Sequence, residues 1–207
     1  MLDDSVLQVS EFTRWYLAAF FTFVAVFYTS RIFLMKRTEN RSLVFAGDRF
    51  GASWWNHMTF RGFRITIWLV CLFRLFYPQM DQYLGLIPAL NHSLLIAGGM
   101  TMLTIGFLFT MTVHFNMGCH WRSGIDPRGP EKLITNGPFQ YSRNPMFTGI
   151  ALAQLGFFLA LPSVFTLICL AVGLTVLRRQ ALCEESHLET IFGDAYQHYQ
   201  SQVRRWV

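Results

Sequence analysis

The chain has 207 residues, of which 53% are hydrophobic and only 14% are charged. A soluble domain carries about 25% charged residues, so this composition argues against a soluble protein and favours a membrane protein. The formal net charge of +5 comes from basic residues scattered between apolar runs. That distribution is typical of membrane-protein loops rather than of a nucleic-acid-binding surface, and we expect no nucleic-acid partner.

Five apolar segments follow along the chain, and a helix needs about 20 apolar residues to span a bilayer. They cover residues 15–35, residues 65–77 with an extension toward 87, and residues 94–115, 147–161 and 163–177. The last two are short and meet at Pro162, which predicts a tight helical hairpin. The expected fold is therefore all-α, an integral membrane protein with about five transmembrane helices and a cytosolic helical cap at the C-terminal end.

The basic residues supply a topology for these segments. Six of them fall in residues 36–64, four in 116–146 and four in the tail from 178, which makes fourteen of the seventeen lysines and arginines. Five spans place all fourteen on one side of the membrane, and loop 78–93 on the other side contains none. The positive-inside rule then predicts an outside N-terminus and a cytosolic C-terminus, in the inner membrane if the source is bacterial.

Two arginines and two histidines lie within or beside the apolar segments. We expect Arg31 to snorkel toward the interface and Arg74 to face inward and pair with Asp81. His114 and His120 flank the exit of the third segment, where interfacial positions are the favoured interpretation and the lining of an acceptor entrance is the alternative. In the same segment, Gly98, Gly99 and Gly106 would permit close helix packing.

Residues 137–149 form a punctuated segment between hydrophobic runs. Gly-Pro and Asn-Pro are turn dipeptides, and the residue before each proline is pushed out of the helical region. Irregular backbone at a membrane edge is tolerated where protein covers it or where it lines a polar cavity. This segment is therefore the candidate floor of a functional site.

The tail after Leu177 repeats apolar residues at three- and four-residue spacing, the pattern of an amphipathic helix. Gly193-Asp194 interrupts the pattern and predicts two separate helices. Glu184 and Glu185 flank the apolar stripe, and Arg178 lies two turns before Glu185 on nearly the same face. Two interpretations stay open: an Arg178–Glu185 pair that caps the last span, or groups that hold a polar ligand against residues 137–149.

The C-terminal half resembles a known superfamily. Its motifs are Gly-Pro-Phe-x-Tyr-Ser-Arg-Asn-Pro-Met-Phe-x-Gly at 137–149, then Glu184-Glu185, then Phe192-Gly193-x-x-Tyr196-x-x-Tyr199. Their order and spacing resemble the isoprenylcysteine carboxyl methyltransferases and phospholipid methyltransferases, in particular the bacterial branch. The resemblance covers residues 116–207. It implies a single membrane domain in which residues 1–115 supply transmembrane helices and 116–207 form the cofactor-binding core.

The resemblance implies a methyltransferase that uses S-adenosylmethionine and accepts a lipophilic small molecule or lipid from the bilayer, with no metal. Arg178 and Glu185 would act at the acceptor end. Asn144 stands where the family usually has histidine, and an asparagine cannot titrate near neutral pH. The implied cofactor contacts are Leu133, Gly137, Tyr141, Arg143, Asn144, Pro145, Phe147, Gly149 and Glu184.

Two other functions fit the sequence. An NADPH-dependent membrane reductase of the sterol type has a related C-terminal architecture and needs no Gly-x-Gly-x-x-Gly motif. The second alternative is a non-catalytic membrane protein that keeps the fold of the superfamily. Asn144, in place of the family's usual histidine, keeps this alternative open. Loss of cofactor binding on replacement of Glu184 would separate an enzyme from a scaffold.

Overall fold

The computed structural model describes residues 4–39 and 44–206, and helices dominate it. Six α-helices are present in these residues: α1 Asp4–Glu39, α2 Ala52–Phe76, α3 Ser93–Met117, α4 Pro145–Ala160, α5 Val164–Phe192 and α6 Asp194–Gln202. Short 3-10 helices cover Pro78–Tyr83, Pro88–Leu90, Gly118–His120 and Gly137–Gln140. Two short parallel strands, β1 Val44–Phe45 and β2 Ser123–Gly124, were not predicted.

Three helical segments in the described residues are long and apolar enough to cross a membrane: Gln8–Arg37, Ser93–Met117 and Val164–Phe192. The α4 helix is apolar but has only 16 residues. The α2 helix has 25 residues but carries three arginines and is not among the candidates. The structure thus shows a mostly helical integral membrane protein, while the count of five spans stays a prediction. Arg41, one of the basic residues in the topology argument, lies outside the described residues.

Three helices are longer than the sequence predicted, and α1 begins at Asp4 rather than near Trp15. The α2 helix begins at Ala52 rather than near Ile65. The α5 helix continues through Leu177, so the amphipathic tail helix is the second half of a single helix. The Ser163 hydroxyl accepts from the Thr166 backbone N–H and starts α5 with a capping box. The predicted break at Gly193 is confirmed, since α5 and α6 are separated there by a residue with φ of +48°.

Helices α3 and α4 pack with their backbones nearly in contact. A Cβ at Gly106 would lie 2.5 Å from the backbone nitrogen of Ala153, and a Cβ at Gly99 would lie 2.5 Å from the carbonyl carbon of Leu159. Gly156 on α4 faces the backbone of Leu103 in the same way. Gly99 and Gly106 therefore serve packing within the chain, which also shields the short α4 helix, whereas Gly98 makes no such contact.

The end of the bundle away from the punctuated segment is closed by a buried ion cluster. Asp81 accepts from Arg74 Nε at 2.5 Å and from Arg14 Nη2 at 2.8 Å, and Arg74 is only 1% exposed. The predicted Arg74–Asp81 pair is confirmed. The loop that carries Asp81 is held by the Val164 backbone N–H, which donates to the Gly85 carbonyl at 2.8 Å.

The opposite end gathers the last turns of α1 and α3 and the first turns of α2 and α4. There His114 has no exposed surface, and Arg31 Nε donates to His114 Nε2 at 3.2 Å. The His114 ring is therefore packed inside the bundle, and the interfacial position stays a prediction. Arg31 does not only snorkel, since its guanidinium is bonded to that ring and lies over Phe115, 5.3 Å from the ring centroid.

Candidate functional site

A cavity of about 510 Å³ opens at the end of the bundle where α3 ends and α4 begins. The connection between these two helices supplies most of its wall, and α5 and α6 supply the rest. The residues that line it are Met117, His120, Arg122, Gly124, Ile125, Asp126, Arg128, Gly129, Pro130, Glu131, Lys132, Leu133, Ile134, Phe139, Arg143, Asn144, Glu184, Glu185, His187, Leu188, Tyr196 and Tyr199. Its lining mixes carboxylates, cations and aromatic rings, which suits a zwitterionic ligand with a flat ring system.

Strand pairing fixes one wall of this cavity. Gly124, at φ of +87°, faces the Phe45 carbonyl with no room for a Cβ. β1 therefore lies directly against β2 in the cavity wall, and only glycine permits that approach.

The structure brings together five of the eleven residues predicted for cofactor binding or catalysis. Leu133, Arg143, Asn144, Glu184 and Glu185 all line the cavity. The other six, which are Gly137, Tyr141, Pro145, Phe147, Gly149 and Arg178, lie outside its lining. Their cofactor or catalytic roles stay predictions.

Local packing accounts for several residues of the second group. A Cβ at Gly149 would lie 2.5 Å from Thr110 Oγ1, so Gly149 serves the contact between α3 and α4. Gly137 has φ of +60° and begins the 3-10 turn that leads into α4. Tyr141 and Arg178 are exposed.

Glu185 is the centre of the polar contacts around the cavity. Its carboxylate is 4% exposed and accepts from Asn144 Nδ2 at 2.8 Å, from Arg143 Nη2 at 3.1 Å and from Arg205 Nε at 3.0 Å. Two guanidiniums and an amide offset the cost of burying this charge. The interpretation of an Arg178–Glu185 pair is wrong, since both ion-pair partners of Glu185 lie elsewhere.

Arg143 joins the punctuated segment to the tail. Its Nη1 donates to the carbonyls of Gln200 at 3.1 Å and Val203 at 2.8 Å, and its backbone N–H donates to the Arg204 carbonyl at 2.9 Å. Because Nε and Nη2 already face Glu185, few of its donors are left for a ligand. Arg143 is thus a residue that positions the tail more than one that binds an anion.

Asn144 sits at the start of α4, where its side chain is buried and lines the cavity. Its side-chain Nδ2 donates to Glu185 Oε1 at 2.8 Å, and its backbone carbonyl accepts from the Thr148 backbone N–H at 3.1 Å. The role that the structure gives this position is hydrogen-bond donation to a carboxylate. An asparagine fills that role without a titratable ring.

Glu184 also lines the cavity, and burial raises the pKa of its carboxyl to about 7. It accepts from Gln180 Nε2 at 2.9 Å on the preceding turn of α5. Gln180 in turn accepts from Asn56 Nδ2 at 3.4 Å, which connects α5 to α2. An orienting amide on one oxygen leaves the carboxylate able to accept from a ligand.

The contribution of the C-terminal residues to the cavity was not predicted from the sequence, although the Tyr196-x-x-Tyr199 motif could have indicated it. Both tyrosines are buried, both line the cavity, and Tyr199 donates from its hydroxyl to the Phe139 carbonyl at 2.6 Å. Burial raises the pKa of Tyr199 to about 12 and also raises the pKa of Tyr196. The Tyr199 phenol therefore stays protonated and remains a donor. Arg205 belongs to no motif, so its contact with Glu185 could not have been predicted from the sequence.

We expect Tyr199→Phe to lower the free energy of unfolding by about 1 kcal/mol, because the Phe139 carbonyl loses its donor in a buried place. Thermal unfolding in detergent measures the change, and Tyr83→Phe at an exposed position is the control. Because the folded-state pKa of Tyr199 lies above the usual value of 10, its stabilisation is present below pH 10 and is lost as the pH rises toward 12. An alkaline destabilisation equal in the wild type and Tyr199→Phe would contradict this assignment.

These features define the class of protein: an integral membrane protein with its site at the end of the helix bundle. The apolar helices are joined there by an irregular connection, and the folded-back tail covers a charged cavity. The phospholipid methyltransferase family model matches residues 94–195, from the start of α3 to the start of α6. This match confirms, for residues 94–195, the resemblance to the superfamily that the motifs indicated. No curated protein and no solved structure matches the chain.

Proposed function

We propose that this protein is a membrane methyltransferase that uses S-adenosylmethionine and methylates a lipophilic or lipid acceptor. The observation that carries the proposal is the cavity, whose lining falls within the family match except for Tyr196 and Tyr199. The family match favours a methyltransferase over the reductase and over a non-catalytic scaffold.

The residues around the cavity fit the chemical groups of S-adenosylmethionine. Glu184 offers a carboxylate for the ammonium group or the ribose hydroxyls. Lys132 and Arg128 line the cavity and are cations for the ligand carboxylate. Tyr196 and Phe139 add aromatic surface for a flat base or a sulfonium. The bound cofactor supplies an electrophilic methyl group.

The chemical role left to the protein is positioning. Methyl transfer is an in-line displacement and gains most from the alignment of its two reactants. The contacts of Glu185 with Arg143, Asn144 and Arg205 hold α4, α5 and the tail in one arrangement. A carboxylate or thiolate acceptor then needs no base, whereas a protonated amine must first lose a proton.

The acceptor would reach this cavity from the membrane. The α3 helix is a candidate span, and its last residue, Met117, is part of the cavity lining. A substrate with an apolar tail can therefore stay in the bilayer beside the bundle while its polar end reaches the cavity. With the basic residues on the cytosolic side, as the positive-inside rule predicts, the cavity faces the cytosol.

Replacement of Glu184 by glutamine tests the proposal. We expect calorimetry to show binding of S-adenosylmethionine to the wild type and at least about tenfold weaker binding to Glu184→Gln, because a charge-assisted hydrogen bond becomes a neutral one. The thermal unfolding midpoint of the unliganded variant should change little, since Gln180 can still donate to the amide oxygen.

Glu189→Gln is the matched control, since Glu189 is an exposed carboxylate on the same helix. It should bind the cofactor as the wild type does. A folded wild-type sample without affinity for S-adenosylmethionine or its demethylated product would overturn the proposal. Displacement by NADPH in the same titration would instead favour the reductase.

A further inference from the structure

Two buried amide side chains, Asn56 and Gln180, connect helix α2 to the carboxylate of Glu184. Asn56 is 2% exposed and Gln180 is 8% exposed. Asn56 Nδ2 donates to Gln180 Oε1 at 3.4 Å, and Gln180 Nε2 donates to Glu184 Oε1 at 2.9 Å. Glu184 is in the lining of the cavity, whereas Asn56 and Gln180 are not. Asn56 also lies outside residues 94–195, so the family match does not cover it.

The carboxylate fixes the direction of both hydrogen bonds. An ionised carboxylate only accepts, so Gln180 must present Nε2 to Glu184 and Oε1 to α2. The side chain that meets Oε1 must then be a donor, and the Asn56 amide fulfils this requirement. Because buried polar atoms in native proteins are hydrogen-bonded with few exceptions, the two bonds together hold the Gln180 amide in one orientation.

The orientation of Gln180 determines how Glu184 meets a ligand. Gln180 lies one turn before Glu184 on α5, and without the bond from Asn56 its amide could rotate about the side-chain bonds. With the amide held, Oε1 of Glu184 is fixed and Oε2 is the oxygen that we assign to the ligand. The donor also favours the ionised carboxylate, because its hydrogen bond lowers the pKa of Glu184 against the larger effect of burial.

We propose that Asn56 is a positioning residue for the cofactor: through Gln180 it holds the Glu184 carboxylate in the orientation and charge state that bind S-adenosylmethionine. The role assigned to Asn56 rests on the proposed function, in which Glu184 binds the ammonium group or the ribose hydroxyls. It makes the first half of α2 part of the site, although no residue of α2 is in the cavity lining. Two amides that only joined α2 to α5 would stabilise the fold without acting on the ligand.

Asn56→Leu removes the donor and keeps a side chain of similar shape. We expect calorimetry to show about fivefold weaker binding of S-adenosylmethionine to this variant, because Gln180 and Glu184 lose their fixed orientation. In a Glu184→Gln background the same substitution should change the affinity by less than about twofold, since the group on which Asn56 acts is no longer a carboxylate. A substitution that only loosens the fold would not show this dependence on Glu184.

Gln154→Leu is the matched control. Gln154 is an amide on α4 that packs against Gly173 of α5, and it is not in the cavity lining. This variant should bind the cofactor as the wild type does. Unchanged affinity in a folded Asn56→Leu, or an equal fold loss in both backgrounds, would overturn the role of Asn56. If Asn56→Leu does not fold, Gln180→Met breaks the same connection at its other member and is measured in its place.

An infrared titration of the unliganded protein separates this role from the proposed function. The protonated Glu184 carboxyl gives a band that Glu184→Gln lacks, and the pH at which the band disappears reports the pKa of Glu184. We expect Asn56→Leu to raise this pKa, because the bond that favours the ionised form is weakened, while the other titratable groups of the cavity are the same in both proteins. If the wild type does not bind S-adenosylmethionine, the proposed function is overturned and the infrared midpoint alone decides whether Asn56 controls Glu184. An unchanged midpoint in Asn56→Leu would show that it does not.

Discussion

Glu185→Gln is expected to lower the free energy of unfolding by about 3 kcal/mol, because the removal of one member of a buried ion pair leaves its partners without compensation. Arg143 and Arg205 both depend on this carboxylate. For a chain of this length the change corresponds to a fall of roughly 6–12 °C in the thermal midpoint. Thermal unfolding in detergent measures it.

The same variant should release the tail before the helices unfold. Limited proteolysis is expected to cut in residues 194–206 faster in Glu185→Gln than in the wild type, because the carboxylate no longer holds Arg205. Glu189→Gln, an exposed change one turn further along α5, keeps a side-chain oxygen that can accept from Gln197 Nε2 and should alter neither the midpoint nor the cleavage. An unchanged midpoint together with unchanged cleavage would show that the tail is held by its other contacts alone.

Gly99→Ala is expected to destabilise the protein by about 3 kcal/mol, at the upper end of the range for overpacking a core. The new methyl group would meet backbone atoms of Leu159 and Ala160, which cannot rotate away as a side chain can. Helices α3 and α4 would have to separate, and the start of α4 carries Asn144 into the cavity. Thermal unfolding and cofactor affinity should therefore fall together.

The neighbouring glycine supplies the control. A Cβ at Gly98 meets no atom within 4 Å, so Gly98→Ala should be neutral or stabilise the helix by up to about 1 kcal/mol. The two substitutions change the same helix by the same atoms. If Gly98→Ala destabilises the protein as much as Gly99→Ala does, helix flexibility rather than contact with α4 explains the effect.

The general architecture was predictable because apolar run length and turn residues are local properties. The α4–α5 hairpin at Pro162, the break at Gly193 and the Arg74–Asp81 pair all follow from residues close in sequence. The start of α2 was not predictable, since residues 52–64 are polar enough to resemble a loop and become helical through packing. The continuity of α5 was missed for a related reason: a change from apolar to amphipathic character does not interrupt the backbone.

The candidate site was predictable only where a motif marked it. Asn144 and Glu184 stood in a recognisable pattern and line the cavity. The pairing of Glu185 was predicted wrongly, because its partner Arg205 is 20 residues away and belongs to no motif. The strands β1 and β2 each have two residues, too few for a period of two to show in the sequence.

The unbroken α5 helix has a consequence for where the reaction can take place. Its 29 residues make a rod about 44 Å long, whereas the hydrocarbon core of a bilayer is about 30 Å thick. The apolar part of α5 lies in the hydrocarbon core. Glu184 and Glu185, further along the same helix, then lie outside the core at a fixed distance from it. For the proposed methyltransferase, bilayer thickness would therefore set the distance from the lipid surface to the cavity, and with it the acceptors whose polar ends can reach.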